Sequence, residues 1–344
     1  MGRKIKEYAA DFETTADAED CRVWAFAVCR LDDIDDIIYG STIDEFMACA
    51  ASLAPCKMYF HNLAFDVTFI FSWLLHHEWE WVEARHPEEG QFTALISDMN
   101  QVYSTEIMFG SGRVTIWDSL KLIPLSVKDE AKAFGLPESK GDIDYRAPRG
   151  PGYVMTDEEA DYIRRDVQID AQSIQIMHDN GLDKLTIGAC ALSDYRAMVG
   201  NSRRFRKIYP LLTPEEDAFM RKAYRGGWVY ANPKYVNQTM GEGISYDVNS
   251  LYPSVMASCS GEVLPYGRPQ WFYGEPSPTE ERPLWIARVR LSFVSRIDSI
   301  PCIQLKGNLS FLPTEYILDS EGEQVVTITS VDWDLIQRQY DVHV

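Results

Sequence analysis

Two carboxylates stand two residues apart in Asp11-Phe12-Glu13, a third follows an aromatic run at Asp66, and a phenol and a fourth carboxylate stand four apart at Tyr162 and Asp166. Their spacing gives them direction. Residues 7–13 alternate as a strand does, so Asp11 and Glu13 project from one surface. Tyr162 and Asp166 fall in a helical pattern, where positions four apart share a face. Carboxylate oxygens are hard ligands that suit Mg²⁺ or Mn²⁺. Two such ions about 3.5–4 Å apart can activate a water and stabilise a leaving oxygen, which is what phosphodiester hydrolysis demands. Without cations, carboxylates packed this closely would raise one another's pKa. Tyr162 is then placed to hydrogen-bond the attacking water or the scissile phosphate. Each fragment alone has a blander explanation: a solvated strand face, a helix-terminus Asp, a surface pair. What sets these residues apart is that all three fragments arrive in order on the right elements.

Those elements can be read from the pattern. Residues 7–13 and 22–30, with an acidic break between them, predict a β-hairpin. Lys57-Met58-Tyr59-Phe60 predicts a third strand, followed by a helix over 63–75 with Asp66 near its start. Residues 92–118 hold further strand-like segments, ending in Val114-Thr115-Ile116-Trp117. A helix over 157–178 carries Tyr162 and Asp166; Thr156 and Glu159 form a capping box at its start, and Asn180-Gly181 ends it. The cluster from Pro148 to Gly152 is a loop inside this α/β first domain. A helical connection over 184–222 leads to a strand-rich segment from about Tyr224, with the domain boundary at about residue 190.

A chain of 344 residues points to two domains, and 46% apolar with 12% aromatic residues supply material for both cores, which excludes disorder. The Met1-Gly2-Arg3-Lys4 start has no apolar run behind it and no later run reaches the roughly 18 apolar residues of a membrane span. A soluble, cytoplasmic protein with no membrane partner is expected. The seven cysteines form no CxxC pair and are odd in number, which argues against a zinc site or a disulfide framework. A net charge of −19 is unfavourable for binding nucleic acid, although carboxylates gathered around divalent ions are a partial exception. The clearest basic run, Arg203-Arg204-Phe205-Arg206-Lys207, is either a DNA-backbone contact or a solvated face.

Asp11-Phe12-Glu13-Thr14-Thr15, Asn62-x-x-x-Asp66 and Tyr162-x-x-x-Asp166 resemble the Exo I, Exo II and Exo III motifs of the DEDDy proofreading exonucleases. In order and local wording they resemble more closely the protein-primed family B DNA polymerases of small tailed bacteriophages. The resemblance implies an RNase H-like fold, with Asp11, Glu13, Asp66 and Asp166 binding metals and Tyr162 assisting the water. It also implies Thr14, Tyr59, His61, Asn62, Phe65, Ser119 and Leu120 as contacts for a single-stranded 3′ end, Lys140 as the catalytic-site lysine and Tyr145 as a neighbouring substrate ligand. Aromatic faces can stack on splayed bases and a lysine can offset phosphate charge. Phe65 and Phe69 are equally explained as core packing, Lys140 as a surface lysine, and Asp142 and Asp144 as structural residues.

Tyr224-Arg225-Gly226-Gly227 is by itself a turn whose glycines let backbone approach a phosphate. It resembles the YxGG element that joins exonuclease and polymerase domains and contacts the template strand. Ile244-Ser245-Tyr246-Asp247 predicts a strand running into Val248-Asn249-Ser250-Leu251-Tyr252-Pro253-Ser254, which resembles polymerase motif A, DxxSLYP. That likeness implies that Asp247 binds catalytic metal and that Tyr252 stacks under the incoming sugar and excludes a 2′-hydroxyl. From about residue 258, Leu264-Pro265-Tyr266-Gly267 and Ile303-Gln304 resemble the insertion that docks the priming terminal protein.

The expected layout is an exonuclease over 1–190, a linker, YxGG element and partial α+β palm over 191–260, and an incomplete terminal-protein-region insertion over 261–344. Single-stranded 3′ ends, primer-template DNA and a terminal protein are the expected partners, in a bacterial host cytoplasm if the chain is phage-encoded. No YxDTDS motif and no motif B are present. Asp332-Trp333-Asp334 does not substitute, because Ser330 is expected to cap a helix on which aspartates two apart diverge. The resemblance thus implies the N-terminal part of a polymerase with a competent exonuclease, whose polymerisation needs missing motifs or a second chain. The alternatives are a stand-alone 3′→5′ exonuclease with a vestigial palm, and a non-catalytic module for terminal protein or single-stranded DNA. The four carboxylates count against the last.

Overall fold

The computed structural model describes residues 5–16, 20–83, 86–137, 141, 143–225, 227–304 and 316–344. The chain divides into two compact units, Met1–Met198 and Val199–Val344.

The first unit is built on one sheet. Its elements run β1 (Lys6–Thr14), β2 (Val23–Arg30), β3 (Asp33–Gly40), α1 (Ile43–Leu53), β4 (Cys56–Phe60), α2 (Leu63–His76), β5 (Glu80–Trp81), β6 (Gln91–Ile96), β7 (Val102–Phe109) and β8 (Gly112–Asp118). The helices α3 (Val127–Phe134), α4 (Asp157–Asp179) and α5 (Ile187–Val199) follow. Strand order is β3-β2-β1-β4-β8-β7-β6-β5. β1 is antiparallel to β2 and parallel to β4, and β4 is parallel to β8. That is the arrangement expected of the RNase H-like fold.

Helices cover both faces of the sheet centre, so its strands are apolar on both sides. Tyr8, Ala10 and Phe12 of β1 join Phe46 of α1 and Leu63 and Ile70 of α2 in one core. The alternate positions face α4, where Ala9, Ala25 and Ala27 meet Ile163, Val167 and Ile174. α4 starts where the sequence places it. Thr156 Oγ1 accepts from the Glu159 amide at 3.2 Å, and Glu159 Oε2 accepts from the Thr156 amide at 2.9 Å.

Sequence patterning passes over β3 and α1. β3 reads DIDDIIYG and pairs only with β2, so an edge strand can carry acids on its open side. Arg30 offsets that charge through Asp32, Asp33 and Asp36.

In the second unit, α6 (Ser202–Ile208), α7 (Pro214–Ala223) and α8 (Leu251–Met256) precede β9 (Ile286–Ser295), β10 (Gln324–Thr329), α9 (Ser330–Gln339) and β11 (Tyr340–His343). An antiparallel sheet of order β10-β9-β11 packs Leu291, Phe293, Ile328, Ile336 and Tyr340 into its own core. Three expectations are corrected here. Described strands begin at Ile286, not near Tyr224. Residues 244–247 are not a strand, because no described strand lies beside them to complete a ladder and all four are exposed. Thr329, not Ser330, caps α9, exchanging bonds with Asp332 in a capping box. No described helix is long and apolar enough to cross a membrane.

Candidate active site

The carboxylates gather where β1 outruns its neighbour. β4 pairs with β1 only from Lys6 to Ala10, so Asp11 and Glu13 lie just past the end of β4, beside the turn that leads into α2. Opposite them on β2 are Ala27 and Ala25, both fully buried, whose small side chains leave room for acids. A register shift between Glu13 and Thr14 bends the strand at this point. From the opposite side α4 presents Asp166. One oxygen each from Asp11, Glu13 and Asp166 lies within 4.8 Å of the others, a spacing that suits a cation. Asp11 is half-buried, and Glu13 and Asp166 are buried.

Asp66 joins this group electrostatically. It occupies the first turn of α2 and is 4% exposed. Burial is the main cause that pushes its carboxyl up to about 8, helped by the charges of Glu13 and Asp118. A carboxyl shifted this way by burial and by acidic neighbours marks a candidate functional group. The donor set, hard oxygens with little water around them, fits a divalent ion.

The turn that leads to Asp66 is pinned by Asp118, a residue the sequence reading did not single out. Asn62 caps α2 in the left-handed region at φ 65°, a conformation asparagine tolerates, and its side chain makes no capping bond. Its backbone amide instead donates to Asp118 Oδ1 at 3.1 Å, and the Leu120 amide donates to the same oxygen at 3.1 Å. Asp118 ends β8 and is 1% exposed. It therefore ties the β4–α2 turn to the chain leaving β8.

Tyr162 lies one helical turn before Asp166, buried, with its hydroxyl 2.8 Å from that of Tyr145. Burial, the Tyr145 bond and the charges of Asp166 and Glu13 all push the Tyr162 phenol far up, so it keeps its proton. A Cβ on Gly141 would lie 3.2 Å from Tyr162 Cδ2, which explains a glycine against that ring. Lys140 and Asp142 lie outside the described residues, as does Gly226. Asp144 accepts a bond from the Arg146 amide and so serves its own turn.

The other residues singled out in the first unit fall into two groups. Phe65 is 48% exposed beside Phe69, which packs against the core, and Asn62 and Tyr145 are exposed. Thr14 and Leu120 are half-buried. Tyr59 and Ser119 are buried, the former bonding Glu7 and His178 through its hydroxyl, and in this conformation neither has surface for a ligand. His61 turns inward, toward Ser119, Glu130 and Asp170. Glu130 and Asp170 were not anticipated. Their signal was a charged residue on the inward face of a helix, which in sequence looks like any surface acid.

In the second unit Tyr224, Asp247 and Tyr252 are exposed. A Cβ on Gly227 would meet the Tyr252 hydroxyl at 3.2 Å, so the YxGG-like turn and the motif A-like helix touch. Arg203, Arg204, Arg206 and Lys207 of α6, with Asn201, line an open concavity.

Comparison with known proteins agrees with this arrangement. The family described as DNA polymerase type B, organellar and viral, matches residues 53–151 and 148–343. The DNA polymerase of Bacillus phage B103 is 40% identical over 349 residues, covering 100% of this chain and 59% of that protein. The DNA polymerase of Streptococcus phage Cp-1 is 29% identical over 97% of this chain and 60% of its own length. Among solved structures, phi29 DNA polymerase complexed with primer-template DNA and incoming nucleotide substrates superposes with a TM-score of 0.90 at 36% identity, covering 99% of this chain and 60% of that one. The same polymerase complexed with single-stranded DNA gives 0.87. The chain thus spans about three-fifths of the length of these relatives, and it belongs to the type B DNA polymerases of organelles and viruses.

Proposed function

We propose that the first unit is a 3′→5′ exonuclease that removes nucleotides from single-stranded DNA ends, and that the chain is the N-terminal part of a protein-primed phage DNA polymerase acting in the bacterial host cytoplasm. The convergence of Asp11, Glu13 and Asp166 from two elements, with the buried Asp66 carboxyl close enough to feel the charge of Glu13, carries this reading. Asp11, Glu13, Asp66 and Asp166 would hold two divalent ions, Mg²⁺ or Mn²⁺. Such ions supply positive charge for an attacking water and for the leaving 3′ oxygen.

The chain's own groups do the rest. Tyr162, held protonated, is a hydrogen-bond donor rather than a base, and its partner Tyr145 reaches solvent where a phosphate would arrive. Phe65 offers an exposed ring on which a terminal base can stack, and Asn62, Thr14 and Leu120 border the same end of the sheet. Lys140 is assigned the role of offsetting phosphate charge. In the second unit Tyr224, Gly226 and Gly227 would follow the template strand, Asp247 would bind one polymerase metal and Tyr252 would pack under the incoming sugar. The region from 261 onward would dock a terminal protein. Nucleotide addition would further need the second palm carboxylates that this sequence lacks, from the remainder of a longer polymerase or from a partner chain.

The test is degradation of a 3′-labelled single-stranded oligonucleotide by the purified chain with Mg²⁺. Shortening from the 3′ end that disappears with EDTA and in the Asp11→Ala/Asp66→Ala variant is the expected result. A folded chain that leaves the oligonucleotide intact overturns the proposal for the isolated protein.

A further inference from the structure

One turn along α4 from Asp166 lies a second buried cluster, distinct in chemistry from the first. It brings together His61 from the β4–α2 turn, Glu130 from α3 and Asp170 from α4, and one ligand atom from each lies within 4.8 Å of the others. His61 Nδ1 is 3.2 Å from Glu130 Oε1 and 3.9 Å from Asp170 Oδ1. Glu130 is 0% exposed and Asp170 4%.

The tautomer of His61 can be deduced. Its Nε2 lies 2.8 Å from the Leu125 carbonyl, which can only accept, so Nε2 carries a proton and donates. In neutral imidazole Nδ1 is then a bare lone pair, and it faces the two carboxylates. Around it Glu130 Oε1, Glu130 Oε2 and Asp170 Oδ1 meet no donor at hydrogen-bonding geometry. Ser119 has a single hydroxyl hydrogen for both His61 Nδ1 at 3.1 Å and Asp170 Oδ2 at 3.2 Å. Burial, and then the charge of Asp170, push the Glu130 carboxyl up to about 9, opposed in part by the fully buried Ser173 hydroxyl. Acceptors thus outnumber donors in a closed space, and each unsatisfied buried acceptor costs about 1–3 kcal/mol, more if charged.

We infer that His61 Nδ1, Glu130 and Asp170 form a second metal site, separate from the exonuclease carboxylates, for a divalent transition ion of the Zn²⁺ or Mn²⁺ class. An imidazole with two carboxylates suits those ions, whereas Mg²⁺ prefers oxygen ligands and retained waters. The His61 Nε2–H bond to a backbone carbonyl is the outer-shell contact that orients a ligating histidine. The cysteine pattern argues against zinc only in a thiolate site, and this cluster contains no cysteine. Because the ligands come from the β4–α2 turn, α3 and α4, an ion here cross-links the elements that hold Asp66 and Asp166. Its role is to stiffen the exonuclease frame. The inference does not depend on the proposed activity.

The experiment uses the full chain, stripped with chelator and dialysed, in four forms: unaltered, Asp11→Ala/Glu13→Ala, and that double variant carrying in addition either Glu130→Gln/Asp170→Asn or Glu130→Leu/Asp170→Leu. The last fills the space with apolar groups should the third fold poorly. Zn²⁺ and Mn²⁺ are titrated, bound metal is counted by mass spectrometry, and melting temperature is followed. The Asp11→Ala/Glu13→Ala chain should retain one tightly held ion and melt higher with it. Both Glu130/Asp170 variants should lose that ion and the upward shift. Absence of a tight ion in the Asp11→Ala/Glu13→Ala chain overturns the inference, as does its persistence in the Glu130/Asp170 variants. Substitution with Co²⁺ separates adventitious binding: intense thiolate charge-transfer bands would place the ion on cysteines and likewise overturn it.

Discussion

Asp118 is the place where a single substitution tests whether the candidate site is held by the turn geometry described above. Its Oδ1 accepts two backbone amides, from Asn62 and Leu120, and the Asp118 side chain itself is buried. Asp118→Ala leaves both amides without an acceptor. At about 1–3 kcal/mol for each orphaned amide, the loss is about 2–6 kcal/mol. For a unit of this size a kilocalorie moves the melting temperature by about 2–4 °C, so the variant should melt about 4–24 °C lower. Asp118→Asn keeps a carbonyl oxygen in place of Oδ1 and gives up only the charge assistance, a cost of about 1 kcal/mol. The Asn variant also removes one of the charges that push the Asp66 carboxyl up, which offsets part of that cost.

Thermal denaturation followed by circular dichroism, with amide hydrogen exchange at Asn62 and Leu120, reads both effects. The expected order of stability is unaltered chain, Asp118→Asn, then Asp118→Ala, with exchange at the two amides accelerated only in the last. An Ala variant that melts within about 2 °C of the unaltered chain, or an Asn variant as unstable as the Ala variant, would refute the assignment of Asp118 as the clasp of the turn.

Two further outcomes follow from the same geometry. Gly141→Ala places a methyl 3.2 Å from Tyr162 Cδ2 and pushes the ring, so 3′-end hydrolysis should fall about tenfold with little change in melting temperature; unchanged kcat would show that the ring's position is immaterial. Glu7 is partly buried, which opposes ionisation, but bonds from His178 and Lys57 prevail and hold its carboxyl down to about 2, below the ordinary 4.5. A depressed folded-state pKa contributes stability above the unfolded value that is lost as pH falls from 4.5 toward 2. Glu7→Gln should therefore cost about 1–2 kcal/mol at pH 7 by urea denaturation, allowing for partial solvent screening, and progressively less below pH 4.5; an equal cost at pH 7 and pH 3 would contradict the pairing.

Much of the first unit was legible because its signals are local. The β1–β2 hairpin follows from alternation, α4 from a capping box that the structure reproduces atom by atom, and the shared face of Asp11 and Glu13 from strand periodicity. What escaped depends on contacts distant in sequence. β3 is an acidic edge strand whose charges are answered by Arg30, and nothing within its eight residues announces that partner. Asp118 gains its meaning only from Asn62, far back along the chain, and Glu130 only from His61. The segment 244–247 was misread for the converse reason: its β-favouring residues state a propensity, and propensity without a neighbouring strand makes no ladder.

The organisation of α4 shows why the two clusters belong to one design. Glu159, Tyr162, Asp166, Asp170 and Ser173 follow one another at intervals of three or four residues, so they form a single stripe down one face, and all five are buried. A helix pressed on a sheet ordinarily puts apolar residues there. Here Ile163, Val167 and Ile174 flank the stripe and supply the packing, while the stripe itself must find polar partners or be destabilising. Glu159 finds Arg149 and Tyr153, Tyr162 finds Tyr145, and Asp170 finds Ser119. Asp166 lies with Asp11 and Glu13, and Asp170 lies with Glu130 and His61. Four residues of α-helix advance about 6 Å along the axis, so the two carboxylate clusters are held at a set separation by the same rigid rod.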